Sequence, residues 1–490
     1  MIDHRAMLRL VRALLICGVV VASTTALAVH TNPRGLGQVL LFPYYTVRST
    51  DAGTAYNTLF LITNTASDTK IVRVRFRESA NGREVAAINA FLTPFDTWAA
   101  AVVPANPGAG IVTFDKSCID ANPAIGPAGI TLTNASYSGT NTDGGDPTLD
   151  RTMEGFFEAI EMGVVQDQTA LAALHPDRAN DFAVLPDCPA ALAVQLDNIT
   201  KVAPPTGGLM GSAFIINVLD GTLYPYEATA LDDFSSVAMW APLTVSGPTL
   251  QDVNPKASDV LNGSGTVHSI WDTGKGAHPA DPVTAVLMQE QVLNYFILDK
   301  STASETDWVV TMPTKPFYTD SALTGSANAI PPFETPFTAA GAPDYFGISP
   351  TTLIYPNQGD TELYDREGRY PIGSVDLGPN PLPPTVYLKW TANVLTFYPG
   401  DLLASPGRAF IFASLVGFEN GWARLVPFRY PDSFVHQLVS TDVPPRTYFG
   451  LPMIGFMANS YVNGTLSGPT GPVLSNYGAT SPHKGLLRIQ

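Results

Sequence analysis

The chain has 490 residues, of which 45% are hydrophobic and only 14% are charged, and its formal net charge is −16. This composition excludes a disordered chain, and the acidic balance argues against nucleic acid or an anionic lipid surface as a partner. With 41 glycines and 42 prolines, turns should be abundant and long helices few.

The first 28 residues have the pattern of a secretory signal peptide. A basic start that ends at Arg12 precedes an apolar stretch at 13–22, and Ala26-Leu27-Ala28 fits the small-x-small cleavage rule. We predict cleavage after Ala28 and therefore export from the cytoplasm. The apolar stretch is shorter than the roughly 20 residues of a membrane-spanning helix, and no later stretch qualifies, so no transmembrane segment is expected.

The mature chain is expected to open with β-strands. The run VLLFPYYTV at 39–47 has the composition of a strand. Because Pro43 has no N–H group to donate to a neighbouring strand, we predict an edge strand that is interrupted there. Residues 57–63 are rich in β-forming residue types and predict a second strand.

A third strand is predicted at 71–77, followed by a hairpin. Strand side chains alternate between faces, so Val72, Val74 and Phe76 should face the core and Arg73, Arg75 and Arg77 should face outward. Asn81-Gly82 is a hairpin signal, and Glu84–Leu92 supplies the return strand. The arginine row is either a face for an anionic ligand such as an acidic glycan, or an ordinary charged surface.

The segment TDGGDPTLD contains three aspartates, Asp143, Asp146 and Asp150. Their oxygens are hard ligands that suit Ca²⁺, although the spacing is not that of an EF-hand. The sequence therefore predicts a cation-binding loop, or else an exposed turn. Transition metals are not expected, because no histidine or cysteine pair has the spacing of zinc ligands.

A helix is predicted over 153–164, capped by Thr148 or Asp150. Glu154, Glu158 and Glu161 would then share one helical face. Such a carboxylate cluster either binds a cation or divides acid and base roles, or it is a solvated face near the start of the helix. No other catalytic residues are predicted, since no nucleophile elbow is present and the histidines are scattered.

Only Cys118 and Cys188 remain after removal of the signal peptide. Two cysteines in an exported protein most often form one disulfide, because the compartment is oxidising. We therefore predict a Cys118–Cys188 disulfide.

Further strands are predicted in the C-terminal half. A hairpin is expected from 408–418 and 422–428, joined by Glu419-Asn420-Gly421, and another strand at 453–462 should end at Asn463-Gly464. A short helix should start at Asp281-Pro282 and run to Gln291. Proline-rich loops are predicted at 331–343 and 379–384.

Six ordered sequence blocks resemble a family of secreted or cell-surface proteins of Gram-negative bacteria that has no assigned biochemistry. The blocks are GQVLLFPYYTV (37–47), VRVRFRESANGREV (72–85), EGFFEAIEMGVV (154–165), TDWVVTMPTKPFY (306–318), YDREG (364–368) and ENGWARL (419–425). The resemblance implies export and a largely β fold, and it implies no catalytic residues. Individual segments also resemble immunoglobulin-like modules.

These observations predict a mainly β protein of antiparallel, immunoglobulin-like β-sandwich domains with a few short helices. The expected units are the signal peptide (1–28), an N-terminal β domain (29–240) with a helical insertion near 150–175, and a C-terminal β domain (241–490) with proline-rich loops.

The predicted function is that of an exported, non-catalytic cell-surface or envelope protein with a structural or adhesive role. Its expected partners are envelope or extracellular proteins or glycans, and its expected location is the periplasm, the cell surface or the medium. One alternative is a glycan-binding protein or glycoside hydrolase that uses the three glutamates. The other is a cation-binding envelope protein that uses the aspartate loop; Ca²⁺ is the only cofactor considered.

Overall fold

The computed structural model describes residues 27–49, 55–126, 128–175, 185–263, 265–347, 362–369, 386–411, 413–427, 436–469 and 471–490. Within these ranges the protein is mainly β and consists of several sheets, nearly all antiparallel, with a few short helices. The predicted β class is therefore confirmed, and the immunoglobulin-like likeness stays a prediction. Most of the predicted signal peptide and the proline-rich loop at 379–384 lie outside the described residues.

The N-terminal half contains two large sheets. The eight-stranded sheet comprises β1 (His30–Thr31), β2 (Val39–Thr46), β4 (Lys70–Glu78), β5 (Glu84–Leu92), β8 (Cys118–Asn122), β10 (Glu154–Val165), β11 (Val202–Ala203) and β14 (Thr229–Asp232). The six-stranded sheet comprises β3 (Asn57–Asn64), β6 (Thr97–Pro104), β7 (Ala109–Val112), β9 (Ile130–Thr131), β12 (Leu209–Asn217) and β13 (Thr222–Glu227).

These two sheets face each other across an aromatic core. Phe157 of β10 stacks on Phe42 of β2 with 4.1 Å between ring centroids, and on Phe76 of β4 at 4.8 Å. Phe60 of β3 reaches across from the six-stranded sheet and lies 5.0 Å from Phe157 and 5.2 Å from Trp98. Val72, Val74 and Phe76 face this core, as the alternation in β4 predicts.

The C-terminal half contains two more large sheets and three two-stranded ones. The first large sheet comprises β18 (Gln291–Ile297), β20 (Asp344–Gly347), β21 (Glu362–Asp365), β22 (Val386–Leu388), β25 (Asn420–Pro427) and β31 (Lys484–Leu486). The second comprises β19 (Glu305–Thr311), β23 (Ala392–Phe397), β24 (Ala409–Ile411), β29 (Ile454–Gly468) and β30 (Gly471–Pro482). The small pairs are β15 (Ala257–Asn262) with β16 (Gly265–Ile270), β17 (Met288–Gln289) with β28 (Leu451–Pro452), and β26 (Gln437–Val439) with β27 (Thr447–Phe449).

The helices are short and lie between the strands. The α-helices are α1 (Gln168–Leu174), α2 (Cys188–Ala193), α3 (Asp281–Leu287), α4 (Pro316–Thr319) and α5 (Ser321–Thr324). Single turns of 3-10 helix occur at Gly139–Asn141, Leu149–Met153, Leu250–Asp252, Thr273–Lys275, Lys300–Thr302 and Ala413–Val416. Among the described residues, none of these helices is long and apolar enough to cross a membrane.

The hydrophobic cores cross the expected domain boundary at residue 240. Val39, Leu41 and Ile160 on the far side of the eight-stranded sheet belong to the same core cluster as Val283 and Leu287 of α3. All residues of β2, β4 and β10 are buried, so this sheet is covered on both faces. The N-terminal and C-terminal halves therefore share one continuous interior.

Pro43 does not lie on an edge strand, contrary to the sequence prediction. Strand β2 pairs with β14 on one side and β10 on the other. The pairing with β14 ends at Leu41, and the register with β10 shifts between Gly155 and Phe157. Pro43 is tolerated inside the sheet because this bulge leaves no ladder hydrogen bond for its missing N–H group.

One predicted hairpin and one predicted strand end are also wrong. Strands β24 and β25 lie in different sheets, so Glu419-Asn420-Gly421 does not join a hairpin. Strand β29 continues through Asn463-Gly464 to Gly468, and the register shift between Val462 and Thr465 shows that these residues form a bulge. The Asn81-Gly82 turn between β4 and β5 is confirmed, with Gly82 in the left-handed conformation at φ +67°.

Candidate functional site

The three glutamates lie on a strand and not on a helix. Residues 154–165 form β10, in the middle of the eight-stranded sheet between β2 and β4. The helical spacing of the acids was misleading, because the intervening residues are aromatic or aliphatic and fill the cores on both sides of the sheet. Only the residues before it are helical, as a 3-10 turn in which Thr148 accepts a hydrogen bond from the Asp150 N–H.

Each of the three glutamates is buried beside a different cation. Glu158 Oε1 accepts hydrogen bonds from Arg77 Nη2 at 2.9 Å and Nε at 3.2 Å, and Glu158 is completely inaccessible to solvent. Glu154 accepts from the Tyr44 hydroxyl at 2.7 Å and lies 3.8 Å from Arg48 Nη2. The predicted shared face, whether catalytic or solvated, therefore does not exist.

Glu161 lies towards the C-terminal end of β10. Its carboxylate accepts from Lys70 Nζ at 2.8 Å and from the backbone N–H groups of Thr206 and Gly207 at 2.9 and 2.8 Å. Burial raises the pKa of Glu161, while Lys70 and these hydrogen bonds oppose the rise. The charge of the Glu161 carboxylate is therefore compensated by donors within the fold, and this carboxylate is not available to bind a substrate.

The arginine row is buried, which contradicts the prediction of an exposed face for an anionic ligand. Arg73 and Arg75 are each 1% exposed, and Arg77 is 7% exposed. Arg73 donates to Asn89 Oδ1 at 2.5 Å and to the Ala241 carbonyl at 2.7 Å, and Arg75 Nε lies 2.9 Å from Glu84. Burial, followed by repulsion from Arg75, lowers the pKa of Arg73 to about 10.

The three aspartates of the predicted calcium loop point to different partners. Asp143 forms a bidentate ion pair with Arg151, in which Nη1 donates to Oδ1 at 2.9 Å and Nη2 donates to Oδ2 at 2.8 Å. Asp150 pairs with Arg48 Nη1 at 2.6 Å. Asp146 accepts from the N–H and hydroxyl groups of Thr148. Across the described ranges, no group of three His, Cys, Asp or Glu side chains is arranged to hold a metal ion.

Cys118 and Cys188 lie next to each other, and both thiols are free in this structure. Cys118 begins β8, Cys188 begins α2, and both belong to a small core between the sheet and these helices. Burial raises the pKa of the Cys118 thiol, and its hydrogen bond with Cys188 adds to the rise. The two thiols therefore interact with each other, and the disulfide stays a prediction.

A pocket of about 500 Å³ is lined by His278 and Asp281, two residues that the sequence did not single out as a site. Burial lowers the pKa of His278 to about 4 and raises that of Asp281 to about 6. Asp281 Oδ1 accepts from the Tyr318 hydroxyl at 2.7 Å, and Oδ2 accepts from the His278 N–H at 2.7 Å. One oxygen thus bonds to α4 and the other to the turn before α3, so the acid is committed to structure. The predicted N-cap role of Asp281 is wrong, because Asp281 is the first residue of α3 and the helix ends at Leu287 rather than Gln291.

A second pocket, of about 380 Å³, is lined by Glu305 of β19. Two residues further along β19 is Asp307, whose pKa is raised to about 7 by complete burial. Asp307 Oδ2 accepts from the Leu403 N–H at 2.8 Å, and Oδ1 has no hydrogen-bond partner within the described residues. Asp307 does not line the pocket, so the pocket does not bring it to a substrate.

The outer face of the six-stranded sheet is the surface whose composition departs most from that of a solvent-facing sheet. Outward side chains alternate with core residues along β3, β6 and β12, and they are half-exposed over most of each strand. They include Leu59, Leu61, Ala99, Ala101, Val103, Met210, Phe214, Ile216 and Leu223. We call the outward residues of β3, β6, β12 and β13 the apolar face.

The apolar face carries almost no charge. Of its outward residues only Glu227, at the end of β13, is charged. An antiparallel sheet normally places polar residues on its solvent side, so an apolar one indicates an interaction surface. The signal in the sequence was the centre of the run NTLFLITN, where Leu59 and Leu61 face outward although the strand is covered on one side only.

Comparison with known proteins does not add a function. Neither a protein-family model, nor a curated protein, nor a solved structure matches this chain.

Proposed function

We propose that this chain is an exported, non-catalytic protein of the cell envelope or cell surface, with a structural or adhesive role, and that it acts by contact through the apolar face. Export rests on residues 1–28, whose pattern is that of a signal peptide. The observation that carries the contact role is the apolar face itself, a nearly uncharged solvent-facing side of a regular sheet.

The burial of the predicted catalytic acids supports a non-catalytic role. Glu154, Glu158 and Glu161 each have a cationic partner inside the fold, which is the arrangement of structural ion pairs. A glycoside hydrolase that works through paired carboxyl groups needs at least one of them to reach substrate in the required protonation state.

The disulfide is part of the same proposal. An exported chain meets an oxidising compartment, where adjacent thiols such as those of Cys118 and Cys188 form a bond.

The contact role is tested in cells that export the full chain. Phe214→Glu places a charge in the middle of the apolar face, and we expect it to move the protein from the envelope fraction to the soluble fraction, because a charge at a buried contact must be desolvated. Leu261→Glu is the matched control, since Leu261 is a 75% exposed strand residue outside the face.

Unchanged retention of Phe214→Glu in the envelope fraction would argue against contact through this face. Circular dichroism and the melting temperature of the purified variants show whether both are folded, so that a loss of retention is not confused with a loss of fold.

A further inference from the structure

We infer that the partner of the apolar face is a second copy of this chain, stacked on it face to face about a two-fold axis. The inference rests on the proposed function and names the partner of that same surface.

The geometry of the apolar face is suited to face-to-face packing against another sheet. Its side chains form cross-strand rows, one of which runs from Pro225 through Phe214 and Leu59 to Ala101. The strands β12, β3 and β6 each pair with neighbours on both sides, and the Pro225 carbonyl accepts from the Thr480 hydroxyl. A partner therefore gains side-chain contacts only, and regular apolar rows pack best against a second regular surface, as sheets do at a spacing of about 10 Å.

A partner is not expected to bind by adding a strand next to β13, the neighbouring edge of the sheet. Strand β30 lies along the edge strand β13, where Asn476 Nδ2 donates to the Asp220 carbonyl at 2.9 Å and the Thr480 hydroxyl donates to the Pro225 carbonyl. This edge is occupied by the chain itself, so a partner does not extend the sheet beyond β13.

Charge favours a copy over a partner of opposite charge. The chain carries a net charge of −16, yet the apolar face has only Glu227 at its rim. Stacking two copies on this face buries almost no charge and leaves the acidic surfaces outside the contact, in solvent. A basic partner would instead be expected to meet an acidic surface.

The area is sufficient for a reversible dimer. Four strands spaced about 4.8 Å apart, each about eight residues long at about 3.3 Å per residue, cover roughly 500 Å². Two such faces bury on the order of 1,000 Å², which is the lower limit for specific interfaces. A dimer of modest affinity, with a dissociation constant in roughly the micromolar range, is therefore expected.

Sedimentation of the purified mature chain tests the inference. Over about 1 to 200 μM protein, the wild type should shift from monomer to dimer. Raising NaCl from about 50 to about 300 mM should strengthen the dimer, because salt screens repulsion between two acidic copies. Phe214→Glu and, as a second variant, Leu61→Glu should each weaken the dimer at least about tenfold, whereas Leu261→Glu should not.

A wild type that stays monomeric over this range overturns the inference, as does a dimer that both face variants leave intact. If the purified protein is monomeric while Phe214→Glu still leaves the envelope fraction in cells, the proposed function stands and the partner is another molecule. If the variants form dimers but lose retention, the dimer uses a different surface and the inference again fails.

Discussion

Glu158 and Asp307 are both completely buried acids, but their surroundings differ. Glu158 faces the guanidinium of Arg77 at 2.9 Å, whereas Asp307 has one backbone donor, Leu403 N–H, and lies near the acids Glu305 and Asp401. Burial favours the protonated form of Asp307, and the nearby acids Glu305 and Asp401 add to this effect. The two residues should therefore respond differently to amide substitution.

Glu158→Gln should destabilise the protein by about 3 kcal/mol, because Arg77 is left buried without its counter-ion. Urea denaturation measures the free energy of unfolding. The control is Glu367→Gln, in which the pair with Arg366 has side chains 51% and 71% exposed and should contribute less than about 1 kcal/mol. Equal losses in the two variants would mean that the buried pair is no more important than the exposed one.

Asp307→Asn should stabilise the protein at neutral and alkaline pH. The pKa of Asp307 in the fold is about 7, above the ordinary value of 3.8, so the folded state holds a proton that the unfolded chain releases between these values. The wild type therefore loses stability as pH rises from about 4 to about 7, by up to about 4 kcal/mol, and the amide variant does not suffer this loss.

Unfolding curves of wild type and Asp307→Asn at about pH 5 and pH 8 check this pH dependence. The difference in free energy of unfolding should favour the variant more strongly at the higher pH. Glu227→Gln, an exposed acid on β13, provides the control and should show little change between the two values. A variant that is less stable than wild type at pH 8 would mean that the ionised carboxylate is needed there.

At the level of secondary structure, β8 and α2 meet through their first residues. Cys118 begins the strand, Cys188 begins the helix, and the same small core contains Ile71, Phe91 and Met162 of the eight-stranded sheet. A covalent link at this point would fasten α2 to the edge of the sheet.

Under the proposed export to an oxidising compartment, the protein should contain a Cys118–Cys188 disulfide. It closes a loop of about 70 residues and should stabilise the fold by roughly 4 kcal/mol in the chain-entropy model. Thiol titration of denatured protein should find free thiols only after reduction, and Cys188→Ser should lower the melting temperature of oxidised but not of reduced protein. Two titratable thiols without reductant would contradict the disulfide.

The strands and the site residues differ in how well the sequence predicts them. The return strand 84–92 and the Asn81-Gly82 turn follow from local signals, because alternation and turn chemistry act between neighbours. Local signals do not predict the strand conformation of β10 or the burial of the arginine row in β4. Both depend on a second layer, formed by residues beyond 240, that covers the sheet. Strand β10 is buried on both faces and lacks the alternation by which strands are recognised, whereas β4 keeps its alternation although its arginines are buried too.

At the scale of the whole molecule, the two halves share their interior. Tyr226 of β13 stacks on Phe456 of β29 with 4.7 Å between centroids, and Arg83 and Asn81 both contact Asp320 in the C-terminal half. The Asn81-Gly82 turn also docks on α4, since a Cβ atom on Gly82 would lie 2.5 Å from Pro316. These contacts are those of a domain interior rather than of a flexible linker.

The mature chain should therefore unfold in one transition. Calorimetry should give a single peak, and a chain that ends at residue 240 should aggregate, because it exposes Val39, Leu41 and Ile160 on the uncovered side of the sheet. A well-folded 29–240 fragment or two separate transitions would instead support independent domains.

The order in which β2 acquires its neighbours has a consequence for how quickly the protein folds. The hydrogen-bonded residues Tyr44 and Glu154 are 110 positions apart, and Pro43 is joined to Thr311 across 268 positions. Closing such long loops costs entropy before the contacts form, so chains with this topology fold slowly. An N-terminal strand that must wait for segments made much later keeps the nascent chain open, and an open chain is what a secretion channel for unfolded polypeptides can thread.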